Sequence, residues 1–141
     1  MAALRIRACR ESDQDAVVAL WRECGLVRPW NDPVKDIHRK LRVQRDLFLV
    51  GTVDGRLVAT VMAGYEGHRG WINYLAVAKK CRGRGFGRRL MDEVEARLLA
   101  IGCPKINLQI RRSNTEAVEF YRSLGFTEDD SVSMGKRLIP D

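Results

Sequence analysis

The dipeptide Asp54–Gly55 constrains the fold most. It sits between two apolar runs, LFLVGTV (47–53) and RLVATVMAGY (56–65). Asp-Gly accepts the positive φ angles of a two-residue turn, and the apolar flanks supply strands to pair, so a β-hairpin is predicted. WINYLAV (71–77) then alternates, with Trp71, Asn73, Leu75 and Val77 on one face and Ile72, Tyr74 and Ala76 on the other. KINLQIR (105–111) alternates in the same way through Ile106, Leu108 and Ile110. Period-2 patterning of this kind marks strands.

Helical periods flank these strands. LRIRAC (4–9) reads as an opening strand, and a helix follows with Ser12 as its predicted cap and Asp15 as box partner. Its buried stripe is Ala16, Val17, Leu20, Trp21 and Cys24, and Gly25 ends it. Asp32 and Pro33 open a second helix whose apolar face (Val34, Ile37, Leu41) is thin, as in a peripheral or lid-like element. The longest helix runs to about Ile101 along Phe86, Leu90, Val94 and Leu98, and Gly102 stops it. A last helix, SNTEAVEFYRSLG, is predicted with Ser113 as cap and Glu116 as box partner, and SVSMGKRLI (131–139) reads as a final strand. The sum is one α+β domain over residues 1–141, built on a mostly antiparallel sheet.

Between WINYLAV and the longest helix lies KKCRGRGFGRRL, with glycines at 83, 85 and 87. A strand, a glycine-rich turn and a helix N-terminus form an anion site in principle. The first helical N–H groups lack intrahelical partners, and glycine permits close backbone approach. Arg82, Arg84, Arg88 and Arg89 add donors. The stretch is no P-loop, because GxxxxGK[ST] is absent, and its third glycine comes too early for a dinucleotide fingerprint. Spacing and context favour a phosphate cradle and leave a structural turn and an RNA grip open. A formal charge of +7, from 25 Lys and Arg against 18 Asp and Glu, favours anionic partners without choosing among them.

Other classes recede. No apolar run approaches the ~20 residues that cross a bilayer, and the N-terminal stretch has no apolar leader pattern, so cytoplasmic residence is expected. Cys9, Cys24, Cys81 and Cys103 lie far apart, and neither they nor His38 and His68 have zinc-like spacing, so no metal is expected.

The run Arg82-Gly83-Arg84-Gly85-Phe86-Gly87 resembles the [Q/R]-x-x-G-x-[G/A] signature of the GCN5-related N-acetyltransferases. The block INLQIRRSNTEAVEFYRSLGF, with Asn114, Ala117, Tyr121, Leu124, Gly125 and Phe126, resembles that family's closing motif. RPWNDP (28–33), GYEGHRG (64–70) and GKRLI (135–139) resemble a narrower YpeA-like group of bacterial acetyltransferases. The resemblance implies a mixed α/β fold whose sheet splays between the fourth and fifth strands. It implies acetyl-CoA as donor, with pyrophosphate on the amides of Arg82, Gly83, Arg84, Gly85, Phe86, Gly87 and Arg88, assisted by Lys79 or Lys80. The pantetheine arm would lie beside Leu75, Ala76 and Val77, with Asn114 anchoring that arm or ordering its loop. Tyr121 would be the general acid to the departing thiolate, in direct transfer that needs no acyl-cysteine.

The resemblance fixes no base. Glu66, acting through water, is the first candidate and His68 the second, with a backbone carbonyl and water as the alternative. Trp30 is a candidate for the acceptor entrance. The acceptor would be an amine of a small molecule, a peptide terminus or a protein lysine, and the family implies a monomer or homodimer. The competing reading is a non-catalytic acyl-CoA sensor or protein-interaction module on the same scaffold. Nucleic acid is the least favoured partner, and a membrane is not expected.

Overall fold

The computed structural model describes residues 3–141. Five strands form one sheet in chain order: β1 (Arg5–Ala8), β2 (Phe48–Val53), β3 (Arg56–Tyr65), β4 (Gly70–Val77) and β5 (Ile106–Leu108). The first four pair antiparallel, and β5 joins β4 in parallel. The hairpin turns where expected: Asp54 and Gly55 have φ of 51° and 77°, the paired positive angles of a tight two-residue turn. Helices α1 (Gln14–Glu23), α2 (Pro33–Lys40), α3 (Phe86–Ala100) and α4 (Thr115–Ser123) flank the sheet.

Burial follows the predicted stripes except at Ala16, which is exposed. Val17, Leu20 and Trp21 of α1 and Phe86, Leu90, Val94 and Leu98 of α3 enter the core. Asp32 caps α2 by accepting from the N–H groups of Val34 and Lys35 at 2.9 and 3.2 Å. α2 is more than peripheral, since Ile37 is fully buried despite the thin stripe.

Four expectations need correction. The first helix is not capped by Ser12. A 3₁₀ turn, Glu11–Asp13, precedes α1, and the Asp13 carboxylate accepts from the Arg10 N–H at 2.8 Å while pairing with Arg7 at 2.7 and 2.9 Å. The last helix is capped by Asn114 rather than Ser113, its Oδ1 accepting from the Ala117 N–H at 3.1 Å. The segment 131–139 is not a strand; it has no regular structure, and Val132, Met134, Leu138 and Ile139 are exposed. β5 is also shorter than KINLQIR, because only Ile106–Leu108 find partners.

The Arg7–Asp13 pair is part-buried, with Asp13 the more enclosed partner, and yields a prediction. The hydrogen bond from Arg7 holds the Asp13 carboxyl below its usual range, against the opposing effect of burial. Its contribution is fully present above the unfolded carboxylate value of about 3.9 and is lost as pH falls through the lower folded value. Asp13→Asn is expected to cost about 1–2 kcal/mol at neutral pH, and almost nothing under strongly acid conditions. Urea midpoints at the two pH values check this; an equal cost at both would mean the charge is irrelevant.

Candidate active site

The glycine turn makes a row of unused donors. After a 3₁₀ turn (Lys79–Cys81), the chain reaches α3 through Gly83 and Gly85, whose φ angles of 81° and 79° exclude most side chains. Arg89 N–H is the first in the helix to find an acceptor, the carbonyl of Gly85 at 3.1 Å. From Gly83 to Arg88, no backbone N–H has an acceptor among the described residues. Donors in such a row, at the positive end of a helix dipole, suit an anion.

Gly87 joins three elements. A Cβ there would meet the Phe120 ring at 3.1 Å and Val77 at 3.9 Å. The absent side chain therefore lets α4 and the end of β4 close on the start of α3. Arg88 reinforces the contact by donating to the Ser123 carbonyl at 3.3 Å. Arg82 folds back on the end of β4 while staying exposed, its Nε donating to the Val77 carbonyl at 3.1 Å. Arg84 is left exposed on the turn.

Beside this junction the sheet opens. β4 pairs with β5 only from Gly70 to Ile72, so the edge from Asn73 to Val77, including Leu75 and Ala76, diverges from β5. β4 is also irregular. Met62 faces Asn73 and Thr60 faces Ala76, so Tyr74 and Leu75 together oppose one residue of β3. Tyr74 takes φ of 52°, the mark of a bulge that re-aims its neighbours. The clean alternation of WINYLAV gives no sign of this. Its cause is tertiary: Thr60 Oγ1 donates to the Tyr74 carbonyl at 2.9 Å and accepts from Trp21 Nε1 at 3.0 Å.

Tyr121 projects from α4 next to Phe120. Its ring packs edge-on against Phe120 and Phe126, with centroids at 5.1 and 5.5 Å. Burial pushes its phenol up to about 12, and its hydroxyl has no partner among the described residues. It is thus a protonated donor over the whole physiological range. Asn114 spends its side-chain oxygen on the cap and orders the start of the same helix.

Glu66 and His68 are not brought to this junction. They occupy the β3–β4 turn, at the opposite end of β4, where the Tyr65 hydroxyl reaches the Gly102 carbonyl at 3.5 Å beyond the far end of α3. The length of α3, about 22 Å at 1.5 Å per residue, separates that end from the glycine turn. One oxygen of Glu66, Oε1, accepts from the N–H groups of Arg69 and His68, which hold the carboxyl below its usual range. The sequence gives no sign of a nearer carboxylate, Asp36. It accepts from the Tyr74 hydroxyl at 2.6 Å, at the bulge itself. Tyr74 in turn stacks on Trp21 with centroids 3.7 Å apart. Asp36 also meets Arg39, which binds Asp141 at 2.7 Å. Trp30 is half-exposed, with the Arg111 guanidinium 5.2 Å from its ring centroid.

Other chemistries have less support. Burial pushes the Cys9 thiol up to about 11, so it is not poised as a nucleophile. Among the described residues no three His, Cys, Asp or Glu side chains gather as a metal site would require.

Known proteins with this arrangement are numerous. The model of the acetyltransferase (GNAT) family matches residues 6–126. Acetyltransferase ECA0875 of Pectobacterium atrosepticum is 47% identical over 138 residues, covering 98% of each chain. Among solved structures, Ard1 from Thermoplasma volcanium superposes with a TM-score of 0.76 at 24% identity, covering 89% of this chain and 83% of that one. AAC(6')-Iy in complex with a bisubstrate analogue, CoA-S-monomethyl-acetylneamine, superposes with a TM-score of 0.79 at 17% identity, covering 98% and 100%. At those identities the structural likeness concerns the fold.

Proposed function

The chain belongs to the GNAT family of acetyltransferases, and we propose that it transfers acetyl from acetyl-CoA directly to a primary amine in a ternary complex. One observation carries the reading: the run of unpartnered amides from Gly83 to Arg88, set at the α3 N-terminus beside the diverging edge of β4. That row fits a pyrophosphate, and the edge from Asn73 to Val77 leaves room for an extended pantetheine arm to lie along β4. AAC(6')-Iy, of the same fold, takes a CoA-linked analogue.

Acetyl-CoA, when bound, supplies the activated acyl group. The work of this chain is to orient, to donate and to accept a proton. The amides of Gly83 to Arg88 hold the anionic end, and Arg84 and Arg89 add charge. Tyr121 donates a proton to the sulfur as the thiolate leaves, a role suited to a phenol that burial keeps neutral. For the amine proton we assign Asp36, through water, in preference to Glu66 or His68. It lies at the β4 bulge, in contact with Tyr74, whereas Glu66 sits in the β3–β4 turn at the opposite end of β4. Holding both reactants in one cleft supplies much of the rate, because it removes the entropic cost of encounter.

RPWNDP, GYEGHRG and GKRLI support the narrower YpeA-like placement. The acceptor is an amine of a small molecule, peptide or protein.

Calorimetric titration tests the donor. Acetyl-CoA is expected to bind, and Gly85→Val to weaken it at least about tenfold, because a branched side chain at φ of 79° displaces the turn amides. No heat at millimolar ligand would sink the proposal. Release of CoA thiol with some member of an amine panel separates an enzyme from a sensor: a sensor binds and releases none.

A further inference from the structure

Beyond residue 134 the chain returns to α2. Asp141 Oδ1 accepts from Arg39 Nη2 at 2.7 Å, and its Oδ2 accepts from the Asp32 N–H at 3.0 Å. Arg137 stands 3.9 Å from the same carboxylate and donates to Asn31 Oδ1 at 2.8 Å. The Asp141 side chain is 4% exposed, and the hydrogen bonds from Arg39 and Asp32 hold its carboxyl down to about 2. Two guanidinium groups and a backbone amide converging on one anion are the parts of a carboxylate-binding site. Arg39 also meets Asp36 at 3.4 Å, and Asp36 accepts from the Tyr74 hydroxyl at the β4 bulge. The carboxylate-binding groups therefore adjoin the side chain proposed to take the amine proton.

Little else holds the segment that supplies this carboxylate. From Thr127 to Asp141 no backbone group pairs with another backbone group among the described residues. Leu138 and Ile139 are 85% and 67% exposed, so the segment gains little from burial. From Gly135 onward, its hydrogen bonds to the rest of the chain all fall on Asn31, Asp32 and Arg39. An open cleft of about 530 Å³, within the ~300–1,000 Å³ usual for small-molecule sites, is lined by Arg39 and residues 135–139. Its charged lining, Arg39, Lys136 and Arg137, is all cationic, and Lys136 has no ionic partner among the described residues. Half of the Arg39 side chain stays exposed, so a ligand can reach it.

We infer, on the transferase reading above, that Asp141 stands in the place of an acceptor's carboxylate and that the acceptor is an amino acid. Its carboxylate lies on Arg39, the Asp32 N–H and Arg137, and its amine faces Asp36. Asp141 fills only the anionic half of this arrangement. An amino acid carries both charges, and Asp36 and Arg39, one turn apart on α2, match them. The tether gives Asp141 an effective concentration in about the millimolar range, so a free carboxylate alone competes poorly and the amine contact decides. Diamines and amino sugars have no group for Arg39 and are disfavoured. In the transfer the amine nitrogen bonds the acyl carbon and the carbon–sulfur bond breaks. Asp36 takes the amine proton through water, Tyr121 protonates the thiolate, and an N-acetyl amino acid and CoA leave.

Thiol release from acetyl-CoA, measured on the full chain with the common amino acids and their α-amides, tests the inference. Each amide keeps the amine and loses the carboxylate. The best acid is expected to exceed its amide at least about tenfold in kcat/KM. The amide's amine is the less basic, which by itself favours the amide, so the comparison runs against the expected result. Amides equal to the acids, or better, overturn the inference. Arg39→Gln is expected to raise KM for the acid and to bring the acid-to-amide ratio to about one; a ratio that survives overturns it. Asp141→Asn is expected to lower KM for the acid about threefold or more, because it weakens a tethered competitor. A KM unchanged or raised makes Asp141 a structural anchor only. Limited proteolysis with thermolysin before Leu138 follows the segment without turnover. With CoA present, acids are expected to speed that cut and amides are not; equal effects overturn the inference. No thiol release from any amine, with acids still speeding the cut, sinks the transferase reading and leaves the carboxylate site standing.

Discussion

Tyr121→Phe is expected to lower turnover about 10²–10³-fold and to leave acetyl-CoA affinity within about twofold. The substitution removes one atom. Phenylalanine keeps the edge-on contacts with Phe120 and Phe126, and no hydrogen bond is broken among the described residues. The fold therefore has little reason to respond, and a loss confined to turnover reports the lost proton. Steady-state kinetics with an amine found in the thiol-release panel, alongside calorimetry, make the comparison. Equal losses in affinity and turnover would make Tyr121 a packing residue. The pH profile gives a second reading. Burial pushes the phenol up to about 12, so a donor role adds no alkaline limb below that value. An activity that falls on raising the pH through 10, the ordinary tyrosine value, would place the hydroxyl in water and oppose the assignment.

The parts of this molecule that were legible in the sequence are those fixed by local stereochemistry. Asp54–Gly55 and Gly85 stand at positive φ, where few residues other than glycine, asparagine and aspartate are comfortable, so composition alone locates the turns. The stripe of α3 is equally local, since Phe86, Leu90, Val94 and Leu98 must share one face. What escaped was set by neighbours distant in the chain. Ser113 and Asn114 are both good caps by residue type, and the helix begins one residue later than the pattern suggests, with Asn114 as its cap. SVSMGKRLI carries strand patterning but pairs with no strand of its own chain. Glu66 is a carboxylate in a turn next to β4, and only the fold shows that one of its oxygens accepts two turn N–H groups at the end of β4 away from the glycine turn. The bulge at Tyr74 depends on Thr60 and Trp21, and the Asp36 contact on α2, so nothing within WINYLAV foretells either.

That dependence makes Trp21 the residue whose loss should cost the fold most. Trp21→Ala is expected to remove about 3–5 kcal/mol, a large share of the ~5–15 kcal/mol typical of a domain. The indole is fully buried, stacked on Tyr74 at 3.7 Å and near Phe48 at 6.2 Å. Truncation loses its transfer free energy, opens a cavity between α1 and the sheet, and strips a donor from Thr60. Trp21→Phe separates these effects: it keeps an aromatic stack and loses the N–H, and about 1 kcal/mol is expected for the missing hydrogen bond. Urea midpoints at constant m-value measure both. The two variants also divide structure from site. Thr60 still donates to the Tyr74 carbonyl in either, but only phenylalanine retains an aromatic face against which the Tyr74 ring can stay aimed at Asp36. Trp21→Phe should therefore keep acetyl-CoA binding and most turnover. Trp21→Ala, assayed well below its melting temperature, should keep binding at the α3 N-terminus and lose turnover, because the glycine turn does not rest on Trp21 and the bulge does.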